Sequence, residues 1–312
     1  MTDLDVLCLG EALVDLLPDR RGRLEDCDRF EVCSGGAPAN VATGLARLGV
    51  RVGFRGVVGD DPFGRLLARR LGEEGVTCAF RFAPERPTGL WFVALDARGE
   101  RTFFSPNARF SADKLVAPAD VDRALLARAR WLHCGSSAHL TSEGRAALRA
   151  AVTAARELGT LVSFDPNVRL HLWDDVAPLR ALVADVLPCC DLAKVSDDEA
   201  ELCTGTADPE RAAARLVELG VGLACVTLGE RGALLRRGDD VVRVPAERVE
   251  VVDTTGAGDA FVAGLLAALA RWPSMSAPEL ERAAAFACRV AARVVERVGA
   301  VAGLPRAGEI LD

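Results

Sequence analysis

Short apolar runs alternate with amphipathic stretches along most of the chain. The runs "DVLCLG", "GFRGVVG", "ARWLHCG", "LVSFDPN", "DLAKVS" and "LACVTLG" read as strands buried on both faces, since their apolar residues are continuous and do not alternate with polar ones. Between them, "ANVATGLARLG", "SEGRAALRAAVTAARELG" and "PERAAARLVELG" carry apolar positions at helical spacing. That succession predicts βαβ units and an α/β fold, a mainly parallel central sheet flanked by helices. Ligands of such open sheets bind beyond the carboxyl ends of the strands.

Two segments depart from the rhythm. Residues 12–33 and 87–110 show alternating patches and a hairpin-like "DARGE", but no helical period. They predict antiparallel strands with one solvated face, forming a small β-strand lid over a site. Residues 1–11, 34–86 and 111–312 then make up the α/β domain.

Composition narrows the partners. With 312 residues, half of them hydrophobic, the chain has enough apolar surface for a large core. A net charge of -7 with no dense basic run argues against a nucleic-acid surface and for small molecules. No segment reaches the roughly 18 uninterrupted apolar residues of a membrane span. The start, "MTDLDVLCLGEALVD", is acidic where a leader would be basic, so a cytoplasmic protein without a membrane partner is expected. Ten cysteines without a CxxC pair suggest neither zinc nor a disulfide framework, and His133, His139 and His171 do not form HExxH. Lys114 and Lys194 are the only lysines, so phosphate contacts are expected mostly from arginine.

In "VVDTTGAGDAFVAG", residues 251–264, two glycines free the backbone for close approach to a ligand. Phe261, Leu265 and Leu269 then recur at helical spacing, which places the turn at a helix N-terminus, where unpaired N–H groups bind anions. Asp259 there has two readings: a charge stabilising the helix end, or a base built into an anion cradle. "CSGGAPANVATGLARLG" is a second glycine turn and helix. Pro38 suits the first helical turn, Val41, Leu45 and Leu48 form the buried stripe, and Gly49 ends it. Asn40 then lies on the first turn beside Gly35 and Gly36, either against a polar ligand or incidental to the turn.

Asp15 in "GEALVDLLP" shares a strand face with Leu13. It is either exposed, or buried and in need of donors such as a sugar's hydroxyl groups. In "SFDPNVRLHLW", Asp165, Asn167 and Arg169 point the same way if the backbone stays extended, with Arg169 as a phosphate or substrate clamp. The alternative is a loop tied by side-chain to backbone bonds. "KVSDDEAELCTG" places Ser196 and Glu199 as a capping box, and "VTLGERGALL" places Thr227, Gly229 and Gly232 in a hairpin or nucleotide loop. No G-x-G-x-x-G follows the first strand and no GxxxxGK[ST] exists, which sets aside a dinucleotide fingerprint and a P-loop.

Taken in order, "GGAPANVA", "FDPNVRLHLW", "KVSDDE" and "DTTGAGDAFVAG" resemble the PfkB family of sugar kinases, of ribokinase-like fold, from near residue 5 to near residue 305. With "SADKL" after the lid, the pattern is most similar to fructokinases. The resemblance implies ATP-dependent phosphorylation of a sugar hydroxyl, fructose to fructose 6-phosphate first. 2-Keto-3-deoxygluconate, ribose or a nucleoside are alternative acceptors, and a non-catalytic sugar sensor is the alternative from another class.

The same resemblance makes Asp259 the catalytic base and the Gly256, Ala257 and Gly258 amides an anion hole. Asp15, Gly35, Gly36 and Asn40 become sugar contacts, assisted by Arg169. Thr227, Gly229 and Gly232 become the ATP loop with Asn167 and Ser196 nearby, and Cys288 and Gly299 approach the adenine. Glu199 holds Mg²⁺ through water, and Asp253 with the Thr255 backbone forms a monovalent-cation loop suited to K⁺. The family's lid carries an aromatic and arginine pair shortly before "SAD", with which Arg109 is out of step. Family members pair through the lid, which implies a homodimer.

Overall fold

The computed structural model describes residues 3–20, 22–95, 101–271 and 276–310. The chain runs through β1 (Leu4–Leu9), β2 (Leu13–Pro18), β3 (Phe30–Gly35), α1 (Ala37–Arg47), β4 (Val52–Gly59), α2 (Pro62–Glu73) and β5 (Thr77–Ala83). Next come β6 (Leu90–Leu95), β7 (Arg101–Phe104), α3 (Arg123–Leu126), β8 (Ala129–Cys134), α4 (Ser142–Leu158), β9 (Leu161–Phe164) and α5 (Ala177–Val186). The last stretch holds β10 (Leu192–Ser196), α6 (Asp197–Thr204), α7 (Pro209–Glu218), β11 (Leu223–Thr227), β12 (Ala233–Arg237), β13 (Asp240–Val244), α8 (Ala257–Arg271), α9 (Ala277–Val295) and α10 (Ala307–Ile310).

The large sheet has the order β13-β12-β11-β10-β9-β8-β1-β4-β5. From β11 to β5 every neighbour is parallel, as the continuous apolar runs predict. β12 and β13 are antiparallel additions at one edge: a few residues between β11 and β12 suffice for a hairpin but not for a crossover. Alternate residues of β1 enter opposite cores. Val6 and Cys8 pack with α1, α2, α8 and α9, while Leu7 and Leu9 pack with α3, α4, α5, α6 and α7.

A second sheet, β3-β2-β6-β7, stands over one end of the first. The sequence reading of purely antiparallel strands is corrected at β2 and β6, which pair in parallel. Between them the chain crosses the main sheet through α1, β4, α2 and β5, so β6 re-enters in the direction of β2. β3 and β7 pair antiparallel to their neighbours, and "DARGE", residues 96–100, lies outside the described residues. Among the described residues no helix is long and apolar enough to cross a membrane.

Local sequence fixes where α1 and α8 begin. Gly36 precedes α1 at φ 100°, a conformation that L side chains rarely adopt, and a Cβ there would lie 2.5 Å from the Glu11 carbonyl. Gly256 precedes α8 at φ 79°, with the Ala300 backbone 2.7 Å from where a Cβ would stand. Both helix N-termini therefore start on glycine turns pressed against neighbouring backbone, beside the carboxyl ends of the parallel strands.

Candidate active site

Two cavities adjoin at the carboxyl edge of the sheet. The first, about 260 Å³, lies under the lid and takes Asp15, Trp91 and Phe103 from the lid strands, Glu11 from the end of β1, and Gly36 and Asn40 from the start of α1. Gly256, just before α8, and Gly258 and Asp259 in its first turn close it. The second, about 370 Å³, is lined by Ser196, Asp197, Asp198 and Glu199, by Thr227, Gly229 and Gly232, and by Ala257 and Cys288. Asn167, Arg169, Lys194, Thr254 and Gly258 line both, so these residues form the junction.

Asp259 lies in the first turn of α8 and is 9% exposed. Its Oδ2 accepts a hydrogen bond from Asn40 Nδ2 at 2.8 Å. Burial pushes its pKa up to about 7; the Asn40 bond and the Lys194 and Arg169 charges pull against this, and Asp165 adds to it. Asn40 Oδ1 is buried without a hydrogen-bond partner, an acceptor on the cavity wall. Asp15 faces the same space, and burial followed by the Asp259 charge raises its pKa to about 7. Asp15 is half-buried on the cavity wall, so the reading of it as an exposed strand residue does not hold. Gly35 lines neither cavity; a Cβ on it would meet Asp15 Oδ2 at 2.2 Å, so its bare backbone makes room for that carboxylate.

Asp165, Asn167 and Arg169 do not continue an extended strand. Asn167 takes φ 42°, its N–H donates to Asp165 Oδ1 at 3.0 Å, and the next N–H, of Val168, donates to Glu199. The loop tied by side-chain to backbone bonds is correct, yet Asn167 and Arg169 still reach both cavities. Glu199 also accepts from the Ser196 N–H at 2.9 Å, the capping contact expected at the start of α6. Asp253 accepts from the Thr255 N–H at 2.9 Å, the Thr255 hydroxyl at 2.7 Å and the Gly299 N–H at 2.8 Å, which ties the loop before α8 to the chain beyond α9. Thr255 lines the first cavity. Gly299 serves that tie and lines neither cavity, whereas Cys288 does line the second.

Composition directs attention to arginine, but both lysines line the first cavity. Lys194 is buried with Asp165 at 3.0 Å, and its Nζ is 3.1 Å from where a Cβ on Gly258 would be. Burial depresses its pKa, but the Asp165 and Glu199 carboxylates outweigh this and hold it above the ordinary value. Lys114 is paired with Asp113 at 2.6 Å. Glu11 and Trp91 also escaped the sequence reading; for Lys194 the one available signal was its place inside the apolar run "DLAKVS". Arg109 lies outside both cavities, paired with Asp174 and donating to the His171 carbonyl.

Residues 3–307 match the profile described as pfkB family carbohydrate kinase. A fructokinase of Klebsiella pneumoniae is 44% identical over 264 residues, 84% of this chain and 83% of that protein. A solved fructokinase of Vibrio cholerae O395, in its fructose, ADP and calcium ion bound form, is similar with a TM-score of 0.87 at 34% identity, covering 99% of both chains. A protein of Escherichia coli described as a putative ribokinase II, solved in complex with ATP and Mg²⁺, is similar with a TM-score of 0.89 at 30% identity, covering 99% of this chain and 98% of that one. The chain, with its carboxylate at a helix end between two cavities, belongs to the pfkB family of carbohydrate kinases.

Proposed function

We propose that this chain is a sugar kinase that transfers the γ-phosphoryl group of ATP to O6 of fructose, giving fructose 6-phosphate and ADP. The carrying observation is the position of Asp259: a buried carboxylate at the N-terminus of α8, with one cavity on its sugar side and the second beyond Gly258. Identity to a fructokinase and likeness to a structure with fructose and ADP bound support the choice of acceptor.

In the proposed reaction Asp259, ionised, accepts the proton of the 6-hydroxyl as that oxygen attacks phosphorus and the bond to the ADP oxygen breaks. The amides of Gly256, Ala257 and Gly258 take up charge developing on the phosphoryl oxygens, in a site that excludes water. Lys194 and Arg169, on the wall common to both cavities, balance the same charge. Asp15, Asn40 and the backbone at Gly36 hold the sugar, and Gly35 supports Asp15. Residues 12–33 and 87–110 act as a lid whose closure over the sugar keeps water from competing as acceptor.

Thr227, Gly229, Gly232, Ser196, Asn167 and Cys288 form the ATP side. Its wall also carries Asp197, Asp198 and Glu199, hard oxygen donors of the kind that hold Mg²⁺ through water. When bound, the ion neutralises charge on the phosphate oxygens. The oxygen-rich Asp253 and Thr255 loop fits K⁺ in the same sense. Pairing of two copies through the lid completes the proposal.

A panel of fructose, ribose, a nucleoside and 2-keto-3-deoxygluconate with ATP and Mg²⁺, read as ADP release, tests the acceptor. Fructose is expected to give the highest kcat/KM; no more ADP with fructose than in a blank, with ribose active, sinks it. Sugar-dependent thermal stabilisation without any ATP turnover would favour the sensor reading.

A further inference from the structure

The first cavity has a second charged end that the transfer chemistry leaves unused. The charges acting on Asp259 are those of Asp165, Lys194 and Arg169, whereas Glu11 responds to Lys114 and Asp113. Glu11 and Lys114 both line the cavity, Lys114 held by Ser137 and Asp113, whereas Asp259 is bonded to Asn40 and Lys194 to Asp165, so the cavity carries two differently held charged clusters.

The Lys114 cluster is built and incompletely satisfied. Lys114 is 4% exposed; its Nζ donates to the Ser137 carbonyl at 2.6 Å and pairs with Asp113 at 2.6 Å. An ammonium has three donors, and the Ser137 carbonyl takes one, since neither Asp113 oxygen has a hydrogen-bond partner despite the ion pair; N–H donors therefore remain for the cavity. Glu11 is also 4% exposed, and its Oε2 is buried with no hydrogen-bond partner. A buried polar atom left unmatched costs roughly 1–3 kcal/mol, which a ligand hydroxyl would relieve. Adjacent donor and acceptor suit a polyol, whose hydroxyl groups both give and take hydrogen bonds.

We propose that Lys114 and Glu11 form the recognition end for the ketose. Lys114 donates to, and Glu11 Oε2 shares a hydrogen bond with, the hydroxyl groups on C1 and the anomeric carbon, the end remote from the oxygen that is phosphorylated. The assignment rests on the fructose reading above and makes these two residues specificity determinants: acceptors lacking those hydroxyls leave both groups unmatched.

The test compares kcat/KM for D-fructose, 1-deoxy-D-fructose and 2,5-anhydro-D-mannitol, the last lacking the anomeric hydroxyl, in the wild type, Lys114→Met and Glu11→Gln. The wild type should prefer fructose over at least one analogue by about 10-fold or more. Both variants should lose most of that preference through the fructose KM, with the ATP KM unchanged. Lys114→Met also leaves Asp113 without its cation, so if it does not fold, the nearly isosteric Glu11→Gln decides. A wild type indifferent to the missing hydroxyls, or folded variants that lose all three sugars by one common factor, overturns the proposal. A wild type releasing no ADP with fructose overturns the acceptor reading beneath it.

Discussion

Asn40 Nδ2 donates to Asp259 Oδ2 at 2.8 Å, across 219 positions of sequence. The bond joins the first turns of α1 and α8, the two helices that begin on glycine turns at the carboxyl edge of the sheet. It favours the ionised form of Asp259, while burial favours the neutral one.

This balance predicts the acid limb of the pH profile. Asp259 acts as a base only when ionised, so kcat/KM for the sugar should rise with pH through about 7. Asp15 titrates in the same cavity near the same value, so the limb reports the pair, not one residue. Asn40→Ala removes the bond that lowers the Asp259 pKa and should move the limb to higher pH. Profiles of both enzymes from about pH 5.5 to about pH 8.5 check this; an unmoved limb contradicts it.

Stability should follow the opposite trend. Asp15 and Asp259 rise from 3.8 to about 7 on folding, so between those values the folded chain binds more protons than the unfolded one. Their contribution to stability is then highest below the lower value and is lost as pH rises to the upper one. Asp259→Asn removes one of these groups. Its ligand-free Tm, relative to wild type, should therefore increase on going from pH 5, inside that window, to pH 8, about one unit above it. Equal pH dependence in the two proteins would count against a raised Asp259 pKa.

How much of this was legible in the sequence differs by residue. The parallel strands were, because "DVLCLG" or "LACVTLG" can be continuously apolar only when both faces are covered. Gly256 to Asp259 and Gly36 to Asn40 were, because glycines set just ahead of a helical apolar stripe mark a tight turn into a helix N-terminus. Lys194, Lys114 and Glu11 were not: periodicity marks which face is buried but not what a buried charge meets, and Asp165 and Asp113 are partners only in space. The turn at Asn167 stayed one of two readings because its positive φ depends on Asp165 and Glu199 taking successive N–H groups, and Glu199 is a neighbour only in space. The parallel pairing of β2 and β6 depends on the path of some seventy intervening residues through the main sheet, which no local pattern records.

Lys194 is predicted to serve both fold and chemistry. Lys194→Met leaves Asp165, 4% exposed, without its cation and should cost about 3–5 kcal/mol of stability as well as turnover. Adding Asp165→Asn should recover much of the stability in denaturant titrations but not kcat. Recovery of kcat in the double variant would remove Lys194 from the transfer step.

Gly256→Ala tests the glycine turn. At φ 79° a side chain is strained by about 1–2 kcal/mol, and its Cβ would stand 2.7 Å from Ala300. The variant should melt lower and lose kcat, since the displaced turn carries the amides proposed to face the phosphoryl group. A variant with wild-type Tm and kcat contradicts this.

The most direct test is kcat of Asp259→Asn with saturating fructose, ATP and Mg²⁺. A positioned base contributes about 10²–10⁴-fold, so kcat should fall by that much, with a cooperative melting transition and the KM for ATP retained. Turnover within a few fold of wild type would contradict Asp259 as the base that takes the sugar's proton.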